Sequence, residues 1–137
     1  MHLSKFTDFG FRVLIELALN PGKISVRELS DKLDLSKNHL SKVVHRLNQL
    51  GYIEGIRGRD GGIALKVKPQ DILLSDLVTG LESHFELVEC MNCKSICNLE
   101  TKCQIRESLG NALLAFFGVL AQSTLADICH QQSELRA

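Results

Sequence analysis

The sequence has no tryptophan, one tyrosine and only two prolines in 137 residues. With aromatics at 5%, the core must rest on Leu, Ile, Val and Ala. The 45% hydrophobic and 23% charged fractions exclude a disordered or low-complexity chain, and the length suits about one domain. No apolar run approaches the roughly 18 residues needed to span a bilayer, and Glu16 interrupts the best early candidate, Val13 to Leu19. Met1-His2-Leu3-Ser4-Lys5 lacks the apolar segment and small-residue cleavage site of a signal peptide, so a cytoplasmic protein without membrane association is expected. No Gly-rich phosphate loop or nucleophile–base pattern is present, which argues against an enzyme. The five histidines, His2, His39, His45, His84 and His130, are scattered.

Net charge is also lacking, but its zero hides an asymmetry. Residues 1–70 carry 12 Lys+Arg against 7 Asp+Glu, and residues 71–137 carry 4 against 9. A basic half joined to an acidic half suggests that the first meets a polyanion, although five surplus charges also suit a solvated surface.

Periodicity predicts a mainly helical chain. Thr7 or a neighbour can cap a first helix to about Leu19, with Phe11, Leu14, Ile15 and Ala18 at helical spacing. Ser25-Val26-Arg27-Glu28 has the form of a capping box and opens a short helix to about Leu33. Ser36 can cap a third helix ending near Leu50, with Gly51 closing it. On that helix Leu40, Val43, Val44 and Leu47 share one side, while Asn38, Lys42, His45 and Gln49 share the other, flanked by Ser41 and Arg46. Two short helices, the second with a basic polar face, form a helix-turn-helix pattern. Tyr52 to Arg57 and Ile63 to Val67 then read as two strands, with Asp60-Gly61-Gly62 supplying the positive φ a tight turn needs. A hairpin directly after such a helix is the wing of a winged-helix domain, and its tip carries Arg57 and Arg59.

Residues 1–70 are therefore expected to form a winged helix-turn-helix DNA-binding domain, with the remaining residues, 71–137, providing a cysteine-bearing loop and a dimerisation helix. A short strand or turn and a helix from about Ser75 come first, then the loop, then a last long helix from about Gln104 to Ala121. There Ile105, Leu109, Ala112, Leu113, Phe116, Phe117 and Leu120 cover an apolar arc of roughly 160°, wider than the ~100° stripe that packs on one core. Such a face suits a homodimer or complete burial within one chain.

Four of the five cysteines lie between Cys90 and Cys103; the fifth is Cys129. Cys90, Cys93, Cys97 and Cys103 are separated by two, three and five residues. In a reducing compartment this clustering points to metal or redox chemistry. Zinc, unliganded thiols and an iron–sulfur cluster all remain open; the irregular spacing, with only one short C-x-x-C pair, favours the cluster over zinc.

The chain resembles small iron–sulfur-dependent winged-helix transcriptional repressors of bacteria, and among them the nitric-oxide-sensing members. Phe6-Thr7-Asp8-Phe9-Gly10, Ser36-Lys37-Asn38-His39-Leu40, Arg57-Gly58-Arg59-Asp60-Gly61-Gly62-Ile63, Leu87-Val88-Glu89-Cys90 and Ser123-Thr124-Leu125-Ala126-Asp127 carry this likeness, spread over nearly the whole chain. The resemblance implies three cysteine ligands, of which the last two, Cys97 and Cys103, have the family's five-residue gap. Cys90, directly after Leu-Val-Glu, matches the first ligand, and Cys93 is an extra thiol that could replace it. The resemblance also implies a fourth ligand, Asp8, donated by the partner subunit to a [4Fe–4S] cluster. Without the likeness, Asp8 is an acidic residue favoured in a first helical turn. Related regulators of cluster assembly have a His three residues after the last cysteine; here Arg106 stands there and, as a cation, cannot ligate iron.

The function implied is repression at a palindromic, A·T-rich double-stranded operator, relieved by nitric oxide. Ser36, Lys37, Asn38, His39 and Lys42 would read the major groove, Arg46 would meet phosphate or form an intramolecular pair, and Arg57 and Arg59 would reach the minor groove. The alternatives are a general iron or redox sensor with a [2Fe–2S] cluster and a small iron–sulfur redox enzyme.

Overall fold

A computed structural model describes residues 2–58, 61–91 and 103–136, of which 90 and 131–136 by their backbone alone. In chain order it contains α1 (Lys5–Leu19), α2 (Val26–Leu33), α3 (Lys37–Gln49), β1 (Ile53–Ile56), β2 (Gly62–Leu65) and a 3₁₀ turn (Pro69–Asp71). Then follow α4 (Leu74–Leu81), a second 3₁₀ turn (Glu89–Met91), α5 (Gln104–Leu120) and α6 (Leu125–Arg136).

Local chemistry sets the helix starts. Ser25 and Glu28 form the reciprocal capping box: the Glu28 amide donates to Ser25 Oγ at 3.1 Å and the Ser25 amide to Glu28 Oε2 at 3.0 Å. Ser36 caps α3 by accepting the His39 amide at 3.4 Å. The first helix begins earlier than expected. Its cap is Ser4, which accepts the Thr7 amide at 3.2 Å, and Thr7 lies fully buried inside the helix. The buried stripe of α1 is Thr7, Gly10, Val13, Leu14 and Leu17, while Phe11, Ile15 and Ala18 flank it, partly buried.

Between α2 and α3, Asp34 adopts the left-handed conformation (φ 51°, ψ 46°), and Ser30 Oγ donates to the Leu35 carbonyl at 2.5 Å. Asp tolerates that region better than most side chains, which permits the tight turn between the helices. Gly51 follows α3 with φ 81°, where glycine is favoured.

β1 and β2 pair antiparallel, Ile53 with Leu65 through Ile56 with Gly62, and Ile24 adds a bridge on the other side of β2 at Ile63. The turn chemistry differs from expectation. Among the described residues of the hairpin the positive φ falls on Gly58 (130°). Gly61 and Gly62 are needed for close approach instead: a Cβ at either would stand 2.7 Å from a backbone oxygen, of Ile56 and of Ile24 respectively.

One apolar cluster unites these elements: Val13, Leu14 and Leu17 of α1, Leu29 of α2, Leu40, Val43 and Leu47 of α3, Ile53 and Ile63 of the hairpin, and Ile72, Leu77, Leu81 and Leu125. Leu125 belongs to α6, a helix beyond the expected last one, which packs on α1. Thr124 opens it reciprocally, its amide donating to Asp127 Oδ2 at 2.7 Å while its Oγ1 accepts the Asp127 amide at 3.4 Å. Backbone bonds from Leu74 to Ser123 (3.0 Å) and from Leu125 to Ile72 (2.9 Å) join the start of α4 to the start of α6. Helix α5 contacts α4 and contributes no fully buried residue. No helix among the described residues is long and apolar enough to cross a membrane.

Candidate nucleic-acid interface and cysteine-bearing segment

Burial of Leu40, Val43 and Leu47 fixes which side of α3 faces solvent. Ser36, Lys37, Asn38, His39, Ser41, Lys42 and His45 are all exposed there. No acidic residue lies in the first turn, so Lys37 and Lys42 add to the positive end of the helix dipole. This end of α3 is built to meet an anion. Arg57, exposed at the end of the hairpin, extends the basic surface; Arg59 lies outside the described residues.

Arg46 takes a different direction. Its Nε and Nη2 donate to the Gly80 carbonyl at 3.0 and 2.9 Å, which binds α3 to the end of α4. The intramolecular partner anticipated for Arg46 is therefore a backbone carbonyl.

Asp8 stands exposed in the first turn of α1 and pairs with Arg12 one turn on, Oδ2 to Nη2 at 2.9 Å, both side chains about half exposed. Phe9, the next residue, brings its ring to 6.4 Å from the imidazole of His39. The turn bearing Asp8 thus lies beside the basic start of α3.

Cys90 lies in the 3₁₀ turn Glu89–Met91, and Cys103 occupies the cap position of α5. The Cys103 side chain makes no capping hydrogen bond and its thiol is free and partly buried. An open hollow of about 540 Å³ lies between the two elements, lined by Met91, Cys103, Glu107, Asn111 and Leu114 among others. Cys93 and Cys97 lie outside the described residues. Among the described residues no three His, Cys, Asp or Glu side chains gather as a metal-binding group. The part that is described fits a soft-metal site: an uncommitted sulfur donor, partly accessible, beside the turn that carries a second cysteine. Cys129, on α6, packs at the edge of the core, and burial pushes its thiol up from the ordinary value.

Sequence reasoning missed three features. Glu82, at the end of α4, accepts the Ser4 amide at 2.6 Å and holds the start of α1; neither that contact nor the Phe9–His39 pair leaves a local signal. The Thr124–Asp127 cap was visible as Thr-x-x-Asp ahead of Leu125, Ile128 and Cys129 at helical spacing.

Residues 3–131 match the model of the Rrf2 family, described as an iron-dependent transcriptional regulator. The HTH-type transcriptional regulator NsrR of Bacillus subtilis is 41% identical over 138 residues, covering 98% of this chain and 94% of that protein. Its namesake in Shouchella clausii is also 41% identical and covers the whole of this chain and 94% of its own. Among solved structures, CymR, the global cysteine regulator of B. subtilis, superposes with a TM-score of 0.76 at 25% identity, covering 96% of this chain and 98% of that one. T. potens IscR shares the fold, with a TM-score of 0.78 at 21% identity over all of this chain and 92% of its own. A helix-turn-helix with a basic exposed face, a glycine-dependent hairpin and a full-length match to known regulators lead to one conclusion: the chain belongs to the Rrf2 family of iron-dependent transcriptional regulators.

Proposed function

We propose that this Rrf2-family regulator is a homodimeric repressor whose operator binding depends on an iron–sulfur cluster, [4Fe–4S] in preference to [2Fe–2S], and is relieved by nitric oxide. The observation that carries the reading is the pairing of an uncommitted Cys103 thiol with the Cys90 turn beside one hollow, in a chain 41% identical to NsrR. Cys90, Cys97 and Cys103 would hold the cluster, with Cys93 as the alternative to Cys90 and Asp8 of the partner subunit as fourth ligand. When bound, the cluster supplies a thiolate-held iron centre with one iron on a harder, weaker carboxylate, the position most open to nitric oxide.

The chain's own residues do the rest. Lys37, Asn38, His39 and Lys42, with Ser36 at the cap, face the major groove, where Asn can pair with adenine and Lys with guanine or phosphate. Arg57 and Arg59 reach the narrow minor groove of A·T-rich DNA. Asp8 links the dimer to DNA reading because its neighbour Phe9 touches His39. A shift of about 2–3 kcal/mol between two orientations of the reading module changes affinity by tens- to hundreds-fold. Dimerisation is supported by α5, where Ile105, Leu114 and Val119 are 67%, 71% and 66% exposed.

The test is titration of oxygen-free, cluster-loaded protein with nitric oxide while its gel shift on the operator is followed. The shift should disappear. Undiminished binding after cluster loss refutes the reading.

A further inference from the structure

The last turn of α4 holds three other parts of the molecule with three consecutive residues. A helix leaves its final carbonyls without intrahelical donors, so its end is a place where a cation can bind. Arg46 uses that opportunity, with two guanidinium nitrogens on the Gly80 carbonyl at 3.0 and 2.9 Å. Gly80 also lets α3 come close: a Cβ there would stand 2.9 Å from Leu50 Cδ1. Leu81 fills the notch left by Gly10, where any side chain would overlap its Cδ1. Glu82 then closes the start of α1, accepting the Ser4 amide at 2.6 Å. Thr7 is fully buried and directly precedes Asp8. From Glu82 the chain runs eight residues to Cys90.

We propose that Gly80–Glu82 is the joint through which the cysteine-bearing segment sets the pose of the DNA-reading helix. Arg46 and Glu82 are its positioning residues. Arg46 holds α3 to α4, and Glu82 holds the Asp8 turn of α1 to the same point, so a pull on residues 83–90 reaches both. This rests on the reading that the cysteines govern operator binding. It also removes Arg46 from the phosphate contacts, because two of its guanidinium nitrogens are held on the Gly80 carbonyl.

The experiment uses the full chain purified without oxygen, as wild type, Arg46→Met, Arg46→Lys and Glu82→Gln. Operator affinity is measured across a salt series in cluster-loaded and cluster-free forms. Arg46→Met should weaken operator binding about tenfold, as expected when paired charge-assisted hydrogen bonds are lost, and Arg46→Lys should recover part of it. The salt slope should stay unchanged; a slope reduced by about one makes Arg46 a phosphate contact and overturns its assignment. Glu82→Gln should reduce the loaded-to-free affinity ratio by about threefold or more, since coupling is lost when one link is weakened. Where the wild-type ratio exceeds one, an equal ratio in Glu82→Gln overturns the joint.

Amide exchange separates the joint from the reading beneath it. In cluster-free protein, Glu82→Gln should speed exchange of the α3 amides by about threefold or more through easier local opening. Unchanged α3 exchange overturns the joint even if wild type shows no cluster dependence at all. A wild-type ratio of one, with α3 exchange accelerated, instead refutes the cluster-controlled function and leaves the joint standing.

Discussion

The ring of Phe9 lies 6.4 Å from the imidazole of His39, their planes tilted by 36°, so the first turns of α1 and α3 meet through two aromatic side chains. Such pairs contribute about 0.5–1.5 kcal/mol beyond the area they bury. Phe9→Leu keeps an apolar side chain at the core's edge but removes the ring. It should raise the operator dissociation constant about three- to tenfold while leaving binding to random DNA nearly unchanged. Competition binding with the two DNAs checks this; equal losses on both would show that His39 is not held for sequence reading.

Asp8 and Arg12 form an exposed pair one helical turn apart. Pairs of this kind contribute about 0.3–0.5 kcal/mol, so Asp8→Ala should shift the thermal midpoint by only a few degrees. The visible spectrum of oxygen-free, cluster-loaded protein should nevertheless change. An identical spectrum removes Asp8 from the ligand set.

Three helices begin on a carboxylate. The Ser25 amide and hydroxyl hold Glu28 below its ordinary value of 4.5, and the Thr124 amide and hydroxyl hold Asp127 below 3.8. At Glu82 burial pushes upward, but the Thr7 hydroxyl, the Ser4 amide and hydroxyl, and His2 together outweigh it and lower the value from 4.5. Each group binds protons more weakly in the folded chain than in the unfolded one. Its stabilisation is therefore present above the ordinary carboxylate range and is lost as pH falls through the depressed values. Glu82→Gln should lower the denaturation midpoint at pH 7, and the gap to wild type should close as pH falls through that depressed value. A gap that persists unchanged in acid would contradict the assignment.

Leu114 and Val119 are among the most exposed large apolar side chains, both on α5. If α5 is the contact of the proposed dimer, Leu114→Glu should yield a monomer by light scattering and weaken operator binding, while circular dichroism still reports a helical protein. Because Leu114 is not part of the buried core, loss of helicity would count against α5 as the dimer contact.

Features encoded within a few residues were legible in the sequence. Ser25 with Glu28, Ser36 before α3, Gly51 after it and the division of α3 into apolar and basic faces all follow from spacings of one helical turn. The start of α1 was misplaced because Ser4 and Thr7 offer the same hydroxyl chemistry, and only the fold shows that Thr7 is buried. What stayed hidden is long-range. Arg46 and Gly80 are 34 residues apart, and Ser4 and Glu82 are 78 apart. No periodicity reports which distant carbonyl or carboxylate a surface side chain will find. At the candidate site, the basic end of α3 could be read directly, whereas the touching of Asp8's neighbour and His39 required the fold.

The backbone ladder between residues 72–74 and 123–125 has a consequence for how the molecule can change without falling apart. Leu77 and Leu81 lie in the core before the cysteines, and Leu125 rejoins it after α5. Residues 75–122 are thus an excursion of the chain whose neck that ladder closes. Helix α5, which contributes no fully buried residue, can therefore shift without opening the hydrophobic interior, because the chain at that neck is already anchored.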